Sequence, residues 1–136
     1  MKKIITTIIF LLVIALLSAA CSDTVGTKLI LKNSASNKIS VNFRATLITV
    51  TSGETVILND IPKGTYSYET TFELPSGATS WLTEGAISGQ LDFTAGTEFL
   101  IVYSSTLIDS IYTISASLSS NTDLSSGDTG GSIIGP

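Results

Sequence analysis

Residues 66–74, YSYETTFEL, decide the fold. Tyr66, Tyr68, Thr70, Phe72 and Leu74 alternate with Ser67, Glu69, Thr71 and Glu73. Successive side chains of a strand point to opposite faces, so a period of two reads as a half-buried β-strand with its polar face in water. Outward along the chain, residues 87–94, ISGQLDFT, repeat the signature, with Ile87, Gly89, Leu91 and Phe93 set against Ser88, Gln90, Asp92 and Thr94. Further strands are expected at 27–32, 39–51, 55–61, 80–84, 98–104 and 110–119. No stretch beyond residue 21 carries the apolar stripe of a helix. The expected class is all-β.

Glycine and proline punctuate these strands. Thr51-Ser52-Gly53-Glu54 and Thr94-Ala95-Gly96-Thr97 place glycine between apolar runs, where a positive φ costs least. Ile61-Pro62-Lys63-Gly64 and Leu74-Pro75-Ser76-Gly77 put proline second and glycine fourth, as type I turns favour. All four are expected to join antiparallel neighbours. Gly85 and Gly89 interrupt an otherwise strand-like region, and one of them is expected to be a bulge or bend. The pattern predicts a small antiparallel β-sandwich of about seven or eight strands over residues 27–119, with a small closed β-barrel as the alternative. VTSGETVIL at 50–58 faintly echoes FTAGTEFLI at 93–101, which reads as one hairpin solution used twice. Residues 21–26 read as a short tether and 120–136, containing SSGDTGG, as a flexible polar tail.

The first twenty residues have a different character. Lys2 and Lys3 precede an apolar run at 4–17 broken only by Thr6 and Thr7, followed by Ser18, Ala19 and Ala20. Basic start, apolar run and small residues are the three parts of a secretory signal. Leu17-Ser18-Ala19-Ala20-Cys21 resembles the lipobox of bacterial lipoproteins, with leucine four residues before the cysteine where three is usual. The resemblance covers residues 1–21. It implies that the Cys21 sulfur receives a diacylglyceryl group, that the chain is cut between Ala20 and Cys21, and that the new amino group is acylated. Two readings without lipid stand beside it: ordinary secretion after Ala20, and an uncleaved helix over 4–20. Lipidation is preferred because it alone gives the single cysteine a role. Each buried methylene adds about 0.8 kcal/mol, so two or three acyl chains hold a protein firmly to a bilayer.

Composition narrows the rest. Without Lys2 and Lys3, five cations face eleven carboxylates, a balance of −6. An acidic chain with no basic cluster is not expected to bind nucleic acid, whose affinity rests on phosphate neutralisation. There is no histidine, which removes Ser-His-Asp and Cys-His catalysis and histidine-ligated zinc. One cysteine permits no internal disulfide and no C-x-x-C pair. Ser22, rather than aspartate, follows Cys21, with Asp23 one place later. In envelopes where an aspartate at that place retains lipoproteins in the inner membrane, serine permits transfer to the outer membrane or cell surface.

Candidate chemistry is sparse. Glu69 and Glu73 share one face four residues apart, roughly 13 Å along a strand, beyond the ~5–9.5 Å of glycosidase carboxylate pairs. Pairing of either with Glu84 or Asp92 across strands depends on register. Asn121, Asp123 and Asp128 are oxygen donors near glycines but lack calcium-loop spacing, so no metal or other cofactor is expected. Trp81, Tyr66, Tyr68, Tyr103 and Tyr112 are the aromatics available for a sugar-stacking platform, but Tyr66 and Tyr68 share a face with Phe72 and Leu74 and read as core with hydroxyls near its rim. Lys63 and the serines show no dyad spacing. Trp81 is the best candidate for an exposed, ligand-binding aromatic. Three functions follow. The preferred one is a non-enzymatic, lipid-anchored envelope protein that binds a partner or serves a structural role. A ligand- or glycan-binding module centred on Trp81 comes second, and a carboxylate-dependent hydrolase third.

Overall fold

The computed structural model describes residues 26–121. The expected signal segment 1–20 with its cleavage point after Ala20, the expected lipid attachment at Cys21, most of the expected tether and the part of the expected tail beyond Asn121 lie outside the described residues. Among the described residues nine strands form two open sheets: β1 (Lys28–Asn33), β2 (Ile39–Phe43), β3 (Thr46–Val50), β4 (Thr55–Asn59), β5 (Gly64–Phe72), β6 (Ser80–Gly85), β7 (Ser88–Phe93), β8 (Glu98–Ile108) and β9 (Ile111–Ser120). The five-stranded sheet has the order β4-β1-β8-β9-β6 and the four-stranded sheet β3-β2-β5-β7. The molecule is an all-β sandwich, and neither sheet closes into a barrel.

The strand count exceeds the expected seven or eight because residues 39–51 divide. Arg44 and Ala45, with φ of 54° and 60°, turn the chain between β2 and β3. Two successive left-handed residues give a hairpin turn whose twist matches that of the strands. Asp109 and Ser110, at 52° and 63°, close the β8–β9 hairpin in the same way. Glycine or asparagine usually marks such a turn, and neither pair contains one.

The four glycine-bearing connections do something other than expected. Each carries the chain from one sheet to the other: 51–54 between β3 and β4, 61–64 between β4 and β5, 74–77 between β5 and β6, and 94–97 between β7 and β8. They are corners of the sandwich, and their flanking strands are not paired neighbours. A strand that returns to its sheet by way of the other layer has no hairpin to fix its direction. Accordingly β1 runs parallel to β8, and β6 parallel to β9, while the other five ladders are antiparallel.

Of the two suspect glycines, Gly85 makes the bend. Its φ is 74°, and a Cβ there would collide with the Ala116 carbonyl oxygen. The Ala86 amide donates to that carbonyl at 2.8 Å, and Thr70 donates to the Ile87 carbonyl at 3.1 Å, so these residues hand the chain between sheets. Gly89 stays within β7, beneath the Tyr68 ring.

The core follows the period of two. Leu29, Leu31, Ile101, Tyr103, Tyr112 and Ile114 of one sheet meet Ile39, Val41, Phe43, Tyr68, Leu91 and Phe93 of the other, all buried. Phe93 packs edge-on against Phe99 with centroids 5.0 Å apart, and Phe43 meets Tyr66 at 5.6 Å. Asn33 is fully buried without charge or apolar bulk. Its Nδ2 donates to the Asn37 and Val50 carbonyls at 3.0 and 2.9 Å, and its Oδ1 accepts from the Ala35 amide at 2.9 Å. Leu74, expected at the inward end of its strand, lies beyond the end of β5 and is exposed.

Both ends of the described chain leave from one pole. Gly26 packs on Gly96. Asn121 donates from Nδ2 to the Gly96 carbonyl at 2.8 Å and accepts the Glu98 amide on Oδ1 at 3.0 Å. Its amide thus secures a corner of the fold, and β9 itself extends to Ser120, inside the expected tail. The Asp109-Ser110 tip stands at the other pole, about 34 Å away along the eleven residues of β8.

Candidate functional site

Trp81 owes its position to a mismatch between the two layers. In the β6–β9 ladder, Trp81, Thr83 and Gly85 pair with Tyr112, Ile114 and Ala116. Ladder partners share a face, and those three β9 residues are buried against the smaller sheet. Trp81, Thr83 and Gly85 are nevertheless exposed, as is every other residue of β6. The four-stranded sheet does not roof the outermost strand of the five-stranded one. Trp81 therefore stands 58% exposed on an inward-facing position.

A shallow cleft of about 310 Å³ lies beside it, lined by Thr70, Thr71, Phe72, Leu74 and Trp81. Its floor is the Phe72 ring, which packs on buried Tyr112 at 6.0 Å between centroids. The two threonine hydroxyls are already engaged. Thr70 Oγ1 shares a 2.7 Å hydrogen bond with the Tyr103 hydroxyl, and Thr71 Oγ1 donates to the Ser40 carbonyl at 3.5 Å. The cleft thus offers mostly apolar contact.

The surroundings extend this surface to the tip of the long hairpin. Ladder register sets Leu107, Tyr112 and Trp81 in one row, and Ile108, Ile111 and Ser80 in the next on the opposite face. Backbone amides of Thr79 and Ser80 donate to the Ser110 carbonyl, at 2.8 and 3.4 Å, holding the start of β6 against the turn. Leu74, Trp81, Leu82, Leu107, Ile108 and Ile111 are all exposed at this pole, six of the nine large exposed hydrophobics among the described residues. They are divided between the two faces of the five-stranded sheet, with Leu74, Trp81 and Leu107 on one and Leu82, Ile108 and Ile111 on the other. The part that adjoins the cleft is therefore Leu74, Trp81 and Leu107. Exposed apolar patches at one end of a small domain are typical of interaction surfaces.

Of these, only Trp81 was singled out by sequence. The expected strand ended at 104, which left Leu107 and Ile108 in a connection rather than on an extended hairpin. Adjacent Trp81 and Leu82 break the apolar–polar alternation, and that break was the available signal.

A larger cleft, about 430 Å³, opens at the far edge between β3 and β4, lined among others by Phe43, Ile48, Ile57 and Ile61. Arg44 sits at its rim with its guanidinium 5.3 Å from the Tyr66 ring centre.

Among the described residues the carboxylates do not converge. Glu69 lies opposite Asn42 and Ser88, and Asp92 opposite Thr65, whose hydroxyl donates to it at 3.2 Å. Four residues of ladder, roughly 13 Å, separate Glu69 from Asp92 along the strand. Glu73 pairs with Lys38 at 3.1 Å, and the Glu54 carboxylate accepts the Thr51 amide at 3.0 Å. Glu84 lies on β6, opposite Ser115. Among the described residues, no group of three or more Asp, Glu, His or Cys stands close enough to hold a metal. Asp123 and Asp128 lie outside them.

Three of the four tyrosine hydroxyls bond within the fold. Tyr66 donates to the Pro62 carbonyl at 2.8 Å and Tyr68 to that of Ala86 at 2.7 Å. Burial raises the Tyr68 hydroxyl above 10.0. It pushes Tyr103 up to about 12, the Thr70 hydrogen bond pulling the other way and Tyr68 adding slightly to the rise. The Tyr112 hydroxyl is buried with no hydrogen-bond partner among the described residues.

No helix among the described residues is long and apolar enough to cross a membrane. Compared with known proteins, the chain matches no family model and no curated protein.

Proposed function

We propose that this chain is a lipid-anchored bacterial envelope protein whose sandwich is a non-catalytic binding module. The carrying observation is the polarity of the domain: the exposed apolar group around Trp81 lies at the pole opposite Gly26. A tether from Cys21 would enter at Gly26 and hold that group off the membrane, facing whatever occupies the space beyond. The cleft by Trp81 is apolar and its threonine hydroxyls are occupied, which suits a protein surface better than a sugar rich in hydroxyls. The exposure of Trp81 itself is what supports the second reading, a glycan-binding module. The separated carboxylates give a hydrolase the least support.

The test is a photo-crosslinking residue at position 81 of the full chain in intact cells. A discrete protein adduct that disappears when the group is moved to position 28, at the other pole, is expected. Absence of any protein adduct at 81, with quenching of Trp81 fluorescence by oligosaccharides, would transfer the assignment to the glycan module.

A further inference from the structure

We infer that the Trp81 cleft captures a short extended peptide of another protein, which adds as a strand to the free end of β5. The peptide carries an apolar residue flanked by lysine or arginine. This rests on reading the Trp81 pole as a binding surface, and it names the partner's chemistry.

The backbone of β5 sets the geometry. Within a strand, the N–H and C=O of one residue point to the same side, and successive residues alternate. Thr70 donates to the Ile87 carbonyl on the β7 side, and Glu73 to the Lys38 carbonyl on the β2 side. Phe72 therefore directs its N–H and C=O to the β7 side. The β5–β7 ladder stops short of it, at Glu69 and Ser88. Among the described residues no backbone group meets Phe72 there. The smaller sheet thus lacks one strand's width beside Phe72, and Trp81 of the opposite layer stands exposed against that gap.

Such a gap asks for more than an open edge does. One wall offers backbone hydrogen bonds and the other an aromatic face. An extended peptide satisfies both, because its backbone pairs with Phe72 while alternate side chains turn inward onto Trp81. The β6–β7 link closes one end of the gap at Ile87 and the corner after Leu74 closes the other, leaving room for about three residues. Charge narrows the choice of peptide. Glu84 lies three residues from Trp81, roughly 10 Å along the strand, which is about one Debye length. Asp109 stands at the hairpin tip, next to the Ser110 carbonyl that holds Thr79 and Ser80. Both carboxylates are exposed and neither has an ion pair among the described residues, whereas Glu73 is neutralised by Lys38. An acidic rim selects basic flanks. The cleft between β3 and β4 lacks this match. Its rim carries Arg44, and Ile61 in its wall accepts a 2.8 Å hydrogen bond from Thr27, on the membrane side of the proposed anchor.

Trp81 is the only tryptophan, so its emission reports this cleft alone. The probes are acetylated, amidated pentapeptides of sequence Lys-Thr-X-Thr-Lys, with X valine, isoleucine, leucine or phenylalanine, added to the full-length chain in phosphatidylcholine bicelles. At least one should shift the emission saturably to shorter wavelength and slow Phe72 amide exchange by about tenfold or more. The same peptide N-methylated at every amide should do neither, and glutamate in place of its lysines should weaken it. Glu84→Gln and Asp109→Asn should each weaken the lysine peptide by about threefold and flatten its salt dependence. Asparagine keeps the left-handed turn at 109, so the fold is retained. A response without Phe72 protection, or one that survives N-methylation, would overturn strand addition. Equal binding of the glutamate peptides would overturn the basic partner. No response to any peptide, with a protein or a second copy still captured at position 81, would overturn the peptide while the binding surface stands. Neither response nor capture would remove the surface as well.

Discussion

Tyr103 shows what a buried residue contributes here. Its ring is fully buried, its hydroxyl shares a hydrogen bond with Thr70, and burial pushes its pKa up to about 12. The unfolded chain releases this proton near 10, so the folded state holds a proton that unfolding gives up. The sign is therefore fixed. This contribution is complete below the unfolded value of 10.0 and is lost as pH climbs through about 12, with Tyr68 acting in the same direction. Urea unfolding between about pH 9 and 12 should show a falling midpoint, less steep in Tyr103→Phe. At neutral pH that variant leaves the Thr70 hydroxyl buried and unpaired, at a cost of about 1–3 kcal/mol. Alternation made Tyr66 and Tyr68 legible as core residues with hydroxyls at the rim. It could not reveal Asn33, whose polar side chain is buried because its partners come from the 35–37 turn and from Val50.

At the scale of elements, the strands were legible and their connections were not. Residues 66–72 alternate because one side of β5 meets the packed core and the other meets water, and this pattern is local. Which sheet a strand enters after a corner depends on what it packs against, and nothing local encodes that. The glycines at 53, 64, 77 and 96 marked real turns, but those turns change sheets. The true hairpins rest on Arg44-Ala45 and Asp109-Ser110, four non-glycine residues in the left-handed region, of which only aspartate tolerates it readily. Left-handed geometry costs a non-glycine residue about 1–2 kcal/mol, partly offset in any glycine variant by the added freedom of the unfolded chain. Ala45→Gly should accordingly raise thermal stability by up to about 1 kcal/mol without changing register. Gly85→Ala should do the reverse. The new methyl meets the Ala116 carbonyl in a backbone already left-handed, so β6 must part from β9 at that end. A loss of at least about 1–2 kcal/mol, with faster amide exchange confined to β6 and the end of β9, is expected.

For the whole molecule, the decisive property is its polarity. Gly26 and Asn121 lie together at one pole, and the apolar group containing Trp81 lies at the other. Trp81 was legible as a candidate because it is the only tryptophan and follows a turn. The rest of the surface was hidden, since it arises where the long β8–β9 hairpin and β6 outrun the smaller sheet. With the proposed anchor at Cys21, this polarity gives the domain a membrane side and an outward side. Metabolic labelling with a fatty-acid analogue, on wild type and Cys21→Ala, addresses that anchor directly. The account predicts label on the wild-type chain and none on the variant, which should leave the membrane fraction. Equal labelling of both, or none on the wild type, would contradict it.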